Sequence, residues 1–487
     1  MRTAKLILAA TALASATAAV AQVQTLSQRD VAEAQQQHPQ ILAEFGGAET
    51  GRRAAYVDAV GRRVAVYSGI ANPGQSLRFT TLNSAVENAF AIPGGYVYIT
   101  RQLMTIMGDE AELGFALGHE TGHIAARHSQ ARKSAASRNG ILGVLGAVLG
   151  SVVGGGFGDL ISQGAQYGSQ LRTLSFSRDQ EYQADTLGIR YLTSAGYDPA
   201  ASASLLAALG RSSALEARVQ GNATRSSPEW ASTHPLSENR TRRALSEAQR
   251  TGRAGQGLRN RDAFLAQLDG VIVDDDPAQG IIDGRTFTHP DLRLQFVVPT
   301  GYEMQNSSEA VTIAGGGGKA QFSSARFDGD FNSYIAQVIN ALTEGKTQVQ
   351  AGPVQRTTIN GLPAAFLTGR ANTSSGAVDI SVMAYQFDAR TAYHFIMLTQ
   401  AGAGMQPFAG MLNSLHRISA QDAALVRPRV IDVVTVKRGD TLASLGQRMA
   451  YRDYKVERFA SLNGLAGNAP LVPGQKVKLV VYGVRAR

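Results

Sequence analysis

The chain is 487 residues long, 44% hydrophobic and 17% charged, the proportions of a packed protein of about three domains rather than a disordered one. It carries a formal net charge of +9, but its basic residues (Arg52, Arg53, Arg62, Arg63, Arg240, Arg242, Arg243) are scattered and not interleaved with aromatics. That pattern excludes a nucleic-acid groove and points to an anionic membrane surface or wall polymer. There is no cysteine, so disulfide scaffolds, zinc knuckles and thiol nucleophiles are ruled out, and any transition metal must sit on His, Asp or Glu.

At the start, Arg2 and Lys5 precede an apolar stretch from Leu6, and Ala19-Val20-Ala21 is a small-x-small cleavage site. Residues 1–21 therefore read as a signal peptide. No cysteine follows that site, which excludes a lipoprotein-type anchor.

Residues 22–250 are Ala-rich and mostly helical in pattern, with a small β region from Leu77 to Thr100. Tyr96-Val97-Tyr98-Ile99-Thr100 is rich in β-formers and follows the turn Pro93-Gly94-Gly95. A helix is predicted to begin near Asp109, with Asp109 and Glu112 as a capping pair. Along it runs His119-Glu120-Thr121-Gly122-His123. Two histidines four apart share a helical face and can grip one ion. Glu120, offset by one residue, reaches the ion's open side as a general base.

A second helical pattern holds Glu181 and Asp185, again four apart. Catalytic zinc takes three protein ligands and keeps a position for water, and two His with one Glu is a known set. Glu181 is expected as the third ligand. Asp185 is expected to accept a hydrogen bond from a ligand histidine and fix its tautomer. His128, five residues past His123, falls off the ligand face and is expected at the surface.

These motifs resemble those of the gluzincin zinc metallopeptidases, the family of HtpX, the CAAX prenyl protease and the soluble periplasmic BepA. The likeness spans about residues 30–245, from Asn88-Ala89-Phe90-Ala91-Ile92 through HETGH and E-x-x-x-D to Ser232-Thr233-His234-Pro235 and Arg240. The resemblance implies that the strand after Pro93-Gly94-Gly95 is an edge that binds substrate backbone. It also implies that His234 faces the metal, as an oxyanion donor or as a resting cap, with Arg240 in support. One apolar run, 141–157, is short and Gly-rich for a membrane span and is expected to pack near the active site or touch a membrane surface.

Residues 251–284 shift in composition and read as a linker. Residues 285–420 alternate short strands with Gly and Asn turns and hold two helical stretches, an α+β sandwich that resembles PsbP-like modules. Its histidines, His289, His394 and His416, have no ligand spacing and are expected in core or surface roles. Residues 430–487 contain GDTL, LNGL and PGQKVKL in a strand–helix–helix–strand pattern. This resembles the LysM module, which implies peptidoglycan as a partner, and it reads as a separable tail.

The expected fold is thus multidomain: a mainly α-helical metallopeptidase domain with a small β-sheet, an α+β sandwich, and a βααβ module. The expected function is an exported zinc endopeptidase of the Gram-negative periplasm, with one zinc on His119, His123 and Glu181, acting on unfolded or misassembled envelope polypeptides. Its rivals are a wall-tethered chaperone with latent protease activity and a peptidoglycan-directed hydrolase.

Overall fold

The computed structural model describes residues 24–128, 176–219, 234, 238–343, 349–373, 376–467 and 469–484. The expected signal peptide and the apolar run 141–157 lie outside the described residues, as do Ser232, Thr233 and Pro235. Among the described residues, no helix is long and apolar enough to cross a membrane.

The first unit opens with α1 (Gln28–Glu44) and α2 (Arg52–Ala65), then α3 (Pro73–Ser76) and a three-stranded sheet. That sheet is β1 (Arg78–Leu82), β2 (Ala89–Ile92) and β3 (Tyr96–Thr100), in the spatial order β1–β3–β2. β3 pairs parallel with β1 and antiparallel with β2, so both of its sides are taken. The strand after Pro93-Gly94-Gly95 is therefore the middle of the sheet and not its edge. Its all-buried YVYIT sequence is the mark of a strand covered on both faces. The edge beside the next helices is β2, whose outer side pairs with no strand among the described residues. Gly94 and Gly95 both have positive φ, and a Cβ on either would strike the backbone of Asp30 or Ser76. This turn accepts only glycine because α1 and the loop before β1 lie directly against it.

Helix α4 (Arg101–Ile106) leads into α5 (Glu110–Ala125). Asp109 caps α5 by accepting from the Glu112 amide at 3.0 Å, and the Glu112 carboxylate accepts from the Gly108 amide at 2.7 Å. Beyond the undescribed stretch come α6 (Arg178–Ser194), α7 (Ala201–Val219) and α8 (Glu238–Arg250). Ser177 and Gln180 form a reciprocal capping box at the start of α6. Helices α5 and α6 cross closely at three glycines. A Cβ on Gly188 would lie 3.1 Å from the His119 amide nitrogen, Gly118 faces Gly188, and Gly122 faces Ala184 and Leu187.

Residues 251–284 are packed chain rather than an extended connection. They hold α9 (Arg261–Leu268), with Phe264, Leu265 and Leu268 fully buried, and β4 (Ile272–Val273). The middle unit is a large antiparallel sheet built on four long strands: β5 (Gly318–Arg326), β6 (Leu362–Thr373), β7 (Gly376–Gln386) and β8 (Thr391–Gln400). Helix α10 (Phe331–Thr343) covers one face through Tyr334, Ile335 and Val338. A smaller four-stranded sheet carrying Phe287, Leu294 and Phe296 belongs to the core on the other face.

The C-terminal unit is β9 (Arg429–Thr435), α11 (Leu442–Gly446), α12 (Lys455–Leu462) and β10 (Lys476–Tyr482). Its two strands pair antiparallel, and β4 adds a third strand beside β9. The module read as a separable tail shares one continuous apolar core with the first unit.

Candidate metal centre

The close crossing of α5 and α6 sets one turn of each helix face to face. His119 and His123 project from α5 with their Nε2 atoms 3.1 Å apart. Glu181, in the first turn of α6, brings Oε1 to 3.4 Å from His123 Nε2 and Oε2 to 3.6 Å from His119 Nε2. His234 enters from the segment before α8, its Nδ1 3.2 Å from His119 Nε2 and 2.8 Å from Glu181 Oε1. These four residues offer ligand atoms that all lie within 4.8 Å of one another, and all four side chains are buried.

The orientation of His119 is fixed from behind. Its Nδ1 lies 3.0 Å from Asp185 Oδ1, so it donates there and leaves the Nε2 lone pair facing the cluster. Asp185 is gripped in turn by Arg240, whose Nε and Nη2 each donate to it at 2.7 Å, while Nη1 reaches Glu181 Oε2 at 2.7 Å and the His234 carbonyl at 3.3 Å. Arg240 is only 1% exposed. Burial works against charge on all three groups, but the guanidinium outweighs it. His234 and Arg240 together hold the Glu181 carboxyl well below the usual carboxylate range, and Arg240 with His119 holds Asp185 below it. The two carboxylates raise the Arg240 pKa.

His123 stacks flat on Phe176, ring centroids 3.7 Å apart. Its Nδ1 lies 2.8 Å from His128 Nδ1, and His128 Nε2 lies 3.1 Å from Gln183 Oε1 on α6. His128 is therefore buried behind His123 rather than on the surface. Arg127 takes a positive φ just before it, so the chain turns back where a continued helix would have carried His128 outward. A residue just past a helix end is misplaced by helical counting. Phe176 and Gln183 were not read as site residues, since neither carries a spacing signal. The three glycines lie within or beside the recognised motifs, and their small-residue alignment was the available clue.

The chemistry of this donor set fits a divalent cation. Three imidazoles and a carboxylate turn lone pairs toward one small buried volume, which only a proton or a metal ion can reconcile. Glu120 sits alongside, 1% exposed, with Oε1 3.4 Å from His234 Nε2. A cleft opens next to His123, lined by Leu26, Asp30, Pro93, Gly94, Ile124 and Arg127. All the expected site residues, His119, Glu120, His123, Glu181, Asp185, His234 and Arg240, meet in this one cluster.

Residues 51–248 match the model of peptidase family M48, and residues 434–480 match the LysM domain. The chain is 30% identical over 197 residues to the beta-barrel assembly-enhancing protease of Yersinia pestis, a match covering 40% of this chain and 38% of that relative. It is 31% identical over 225 residues to the mitochondrial metalloendopeptidase OMA1 of Schizosaccharomyces pombe, covering 44% and 61%. It is 30% identical over 129 residues to the metalloprotease LoiP of Escherichia coli, covering 26% and 49%. The matches thus span 38% to 61% of these relatives' own length. Among solved structures, cyanobacterial PsbP from Synechocystis aligns with 28% of this chain and 98% of its own length, at 10% identity and a TM-score of 0.23.

Proposed function

We propose, from the match of residues 51–248 to peptidase family M48, that the chain is a zinc-dependent endopeptidase of the bacterial periplasm that cleaves misfolded or misassembled envelope polypeptides. The observation that carries this reading is the buried convergence of His119, His123 and Glu181, with Glu120 one residue along the same helix. Those three residues would hold the ion. Zinc supplies Lewis acidity, polarising the scissile carbonyl and making water a nucleophile near neutral pH.

The protein's own groups do the rest. Glu120 takes the proton from the attacking water and returns it to the departing amine. Asp185 and Arg240 keep His119 in the tautomer that presents Nε2. The outer edge of β2, running into the Pro93-Gly94 turn at the cleft, offers main-chain groups to an extended substrate. His234, whose Nδ1 lies among the ligand atoms, acts as a resting cap that substrate displaces and then as an oxyanion donor. The envelope setting is supported by the signal-like residues 1–21 and by the name of the Yersinia relative.

We divide the chain into a peptidase domain (22–250), a PsbP-like α+β sandwich (285–420) and a LysM module (430–487), joined through 251–284. Peptidoglycan binding by the module is supported by the family match and by its outward turns, where Val472 is 59% exposed. The test is metal analysis of the full chain with parallel casein and peptidoglycan zymography. About one zinc per chain with clearing of casein is expected. Clearing of peptidoglycan alone would make the chain a murein hydrolase, and clearing of neither, a chaperone.

A further inference from the structure

We propose that the C-terminal module is a built-in part of the peptidase unit, and that Lys478 within it is a positioning residue for the catalytic helix α5. The module's Phe459, Val477 and Leu479 lie in the same buried core as Leu103, Met107 and Leu209 of the first unit. Its sheet is completed from outside: Arg429 and Val430 of β9 pair with Val273 and Ile272 of β4. Arg101 in turn donates to the Ile272 carbonyl at 2.9 Å, and Arg261 donates to the Lys476 carbonyl at 2.9 Å.

Lys478 makes the decisive contact. It is 1% exposed, and its Nζ donates to the carbonyls of Thr105 and Met107 at 2.6 Å each. These carbonyls close the end of α4, where the helix dipole favours a cation and where an unpaired buried oxygen is costly. Two residues beyond Met107, Asp109 caps α5; burial pushes the Lys478 amine down to about 7, and Glu112 in that first turn acts against the shift. The Lys478 amine of one unit thus pins the turn at Met107, and His119, Glu120 and His123 follow twelve to sixteen residues further on. A lysine is held in so dry a place only when its partners are fixed. The opposite face of the module, with the turns at 437–441 and 472–474, points to solvent and stays clear of this contact.

A flexible tether and a docked module behave differently when the chain is cut. A protease site placed at the exposed Leu425, ahead of β9, allows the folded full chain to be nicked. The two fragments are expected to co-elute in gel filtration at physiological salt. Their separation would overturn the docking. Lys478→Met keeps the length of the side chain and removes its donors. Zinc affinity should fall on the order of 10- to 100-fold, and at saturating zinc kcat on a short peptide should fall by a similar factor, since small misplacements of catalytic groups cost that much. KM and peptidoglycan pull-down should not change. Unaltered zinc affinity and kcat would overturn the positioning role. Should Lys478→Met not fold, Lys478→Gln keeps a donor amide on a shorter side chain and is expected to show the same losses in weaker form, with wild-type values overturning the role equally. The kinetic and zinc-affinity arms rest on the proposed zinc-peptidase reading; the elution arm does not, so their failures are distinguishable.

Discussion

Two sets of buried histidines divide the molecule. In the first unit, four histidines run in a chain, His234–His119–His123–His128, each within hydrogen-bond range of the next, crossed by a glutamate and braced by Asp185 and Arg240. In the middle unit His394 is just as buried but alone: Nδ1 lies 2.8 Å from the Tyr334 hydroxyl, which itself donates to the Ala392 carbonyl, and Nε2 lies 3.1 Å from Ser323 Oγ. Every polar atom of that ring is satisfied by a neutral partner, and burial lowers its pKa to about 4. A histidine paid for in hydrogen bonds stays silent, whereas histidines aimed at each other across a carboxylate create a demand for positive charge. Burial by itself says nothing about function; what the ring atoms face decides it.

The sharpest way to break this contrast is Glu120→Gln. It preserves shape and removes the base, so peptide hydrolysis should fall by about 10²- to 10⁴-fold with metal content and folding unchanged. Activity surviving in that variant would assign the proton transfer elsewhere. Next comes Arg240→Met, which strands Asp185 and Glu181 as buried carboxylates without their cation. Chemical denaturation should show a loss of about 3–5 kcal/mol; a neutral result would mean that the clamp contributes nothing to the fold. Replacing Asp185 by Asn should weaken zinc binding by about 10- to 100-fold in a chelator competition, with Glu181→Ala losing more. Equal affinities for wild type and Glu181→Ala would remove Glu181 from the ligand set.

The smallest effect belongs to the silent histidine. Its folded pKa of about 4 lies below the ordinary 6.5, so between these values the unfolded chain binds a proton that the folded chain refuses. Stability is then complete above pH 6.5 and declines as pH falls toward 4, by at most about 1.4 kcal/mol per pH unit. In a His394→Gln variant this part of the acid slope should vanish. An identical slope in the two proteins would show that His394 does not titrate on unfolding.

The ligand motifs were legible because helical periodicity converts a four-residue spacing into a shared face, and both HETGH and Glu181–Asp185 lie wholly inside helices. Where the chain leaves a helix, that arithmetic fails, as at His128. His234 and Arg240 have no local pattern and were placed only through resemblance. The edge of the small sheet was assigned to the wrong strand because strand order is a long-range property: β1, outside the motif, pairs with β3 and takes the edge away from it. Lys478 was hidden for a related reason. In Lys476-Val477-Lys478-Leu479 the lysines look like the wet face of an alternating strand, yet Lys478 turns inward against the end of α4 while Lys476 stays partly exposed.

The Arg240 clamp has a consequence for how such a site is loaded. It binds His119 and Glu181 through Asp185 Oδ1 and Glu181 Oε2, leaving His119 Nε2 and Glu181 Oε1 toward the ligand cluster. The scaffold is therefore wired by protein bonds rather than by the ion, unlike small metallodomains whose folding is the metal's binding energy. On the zinc-peptidase reading proposed above, such a chain is expected to survive a chelator folded and to regain its metal without passing through the unfolded state.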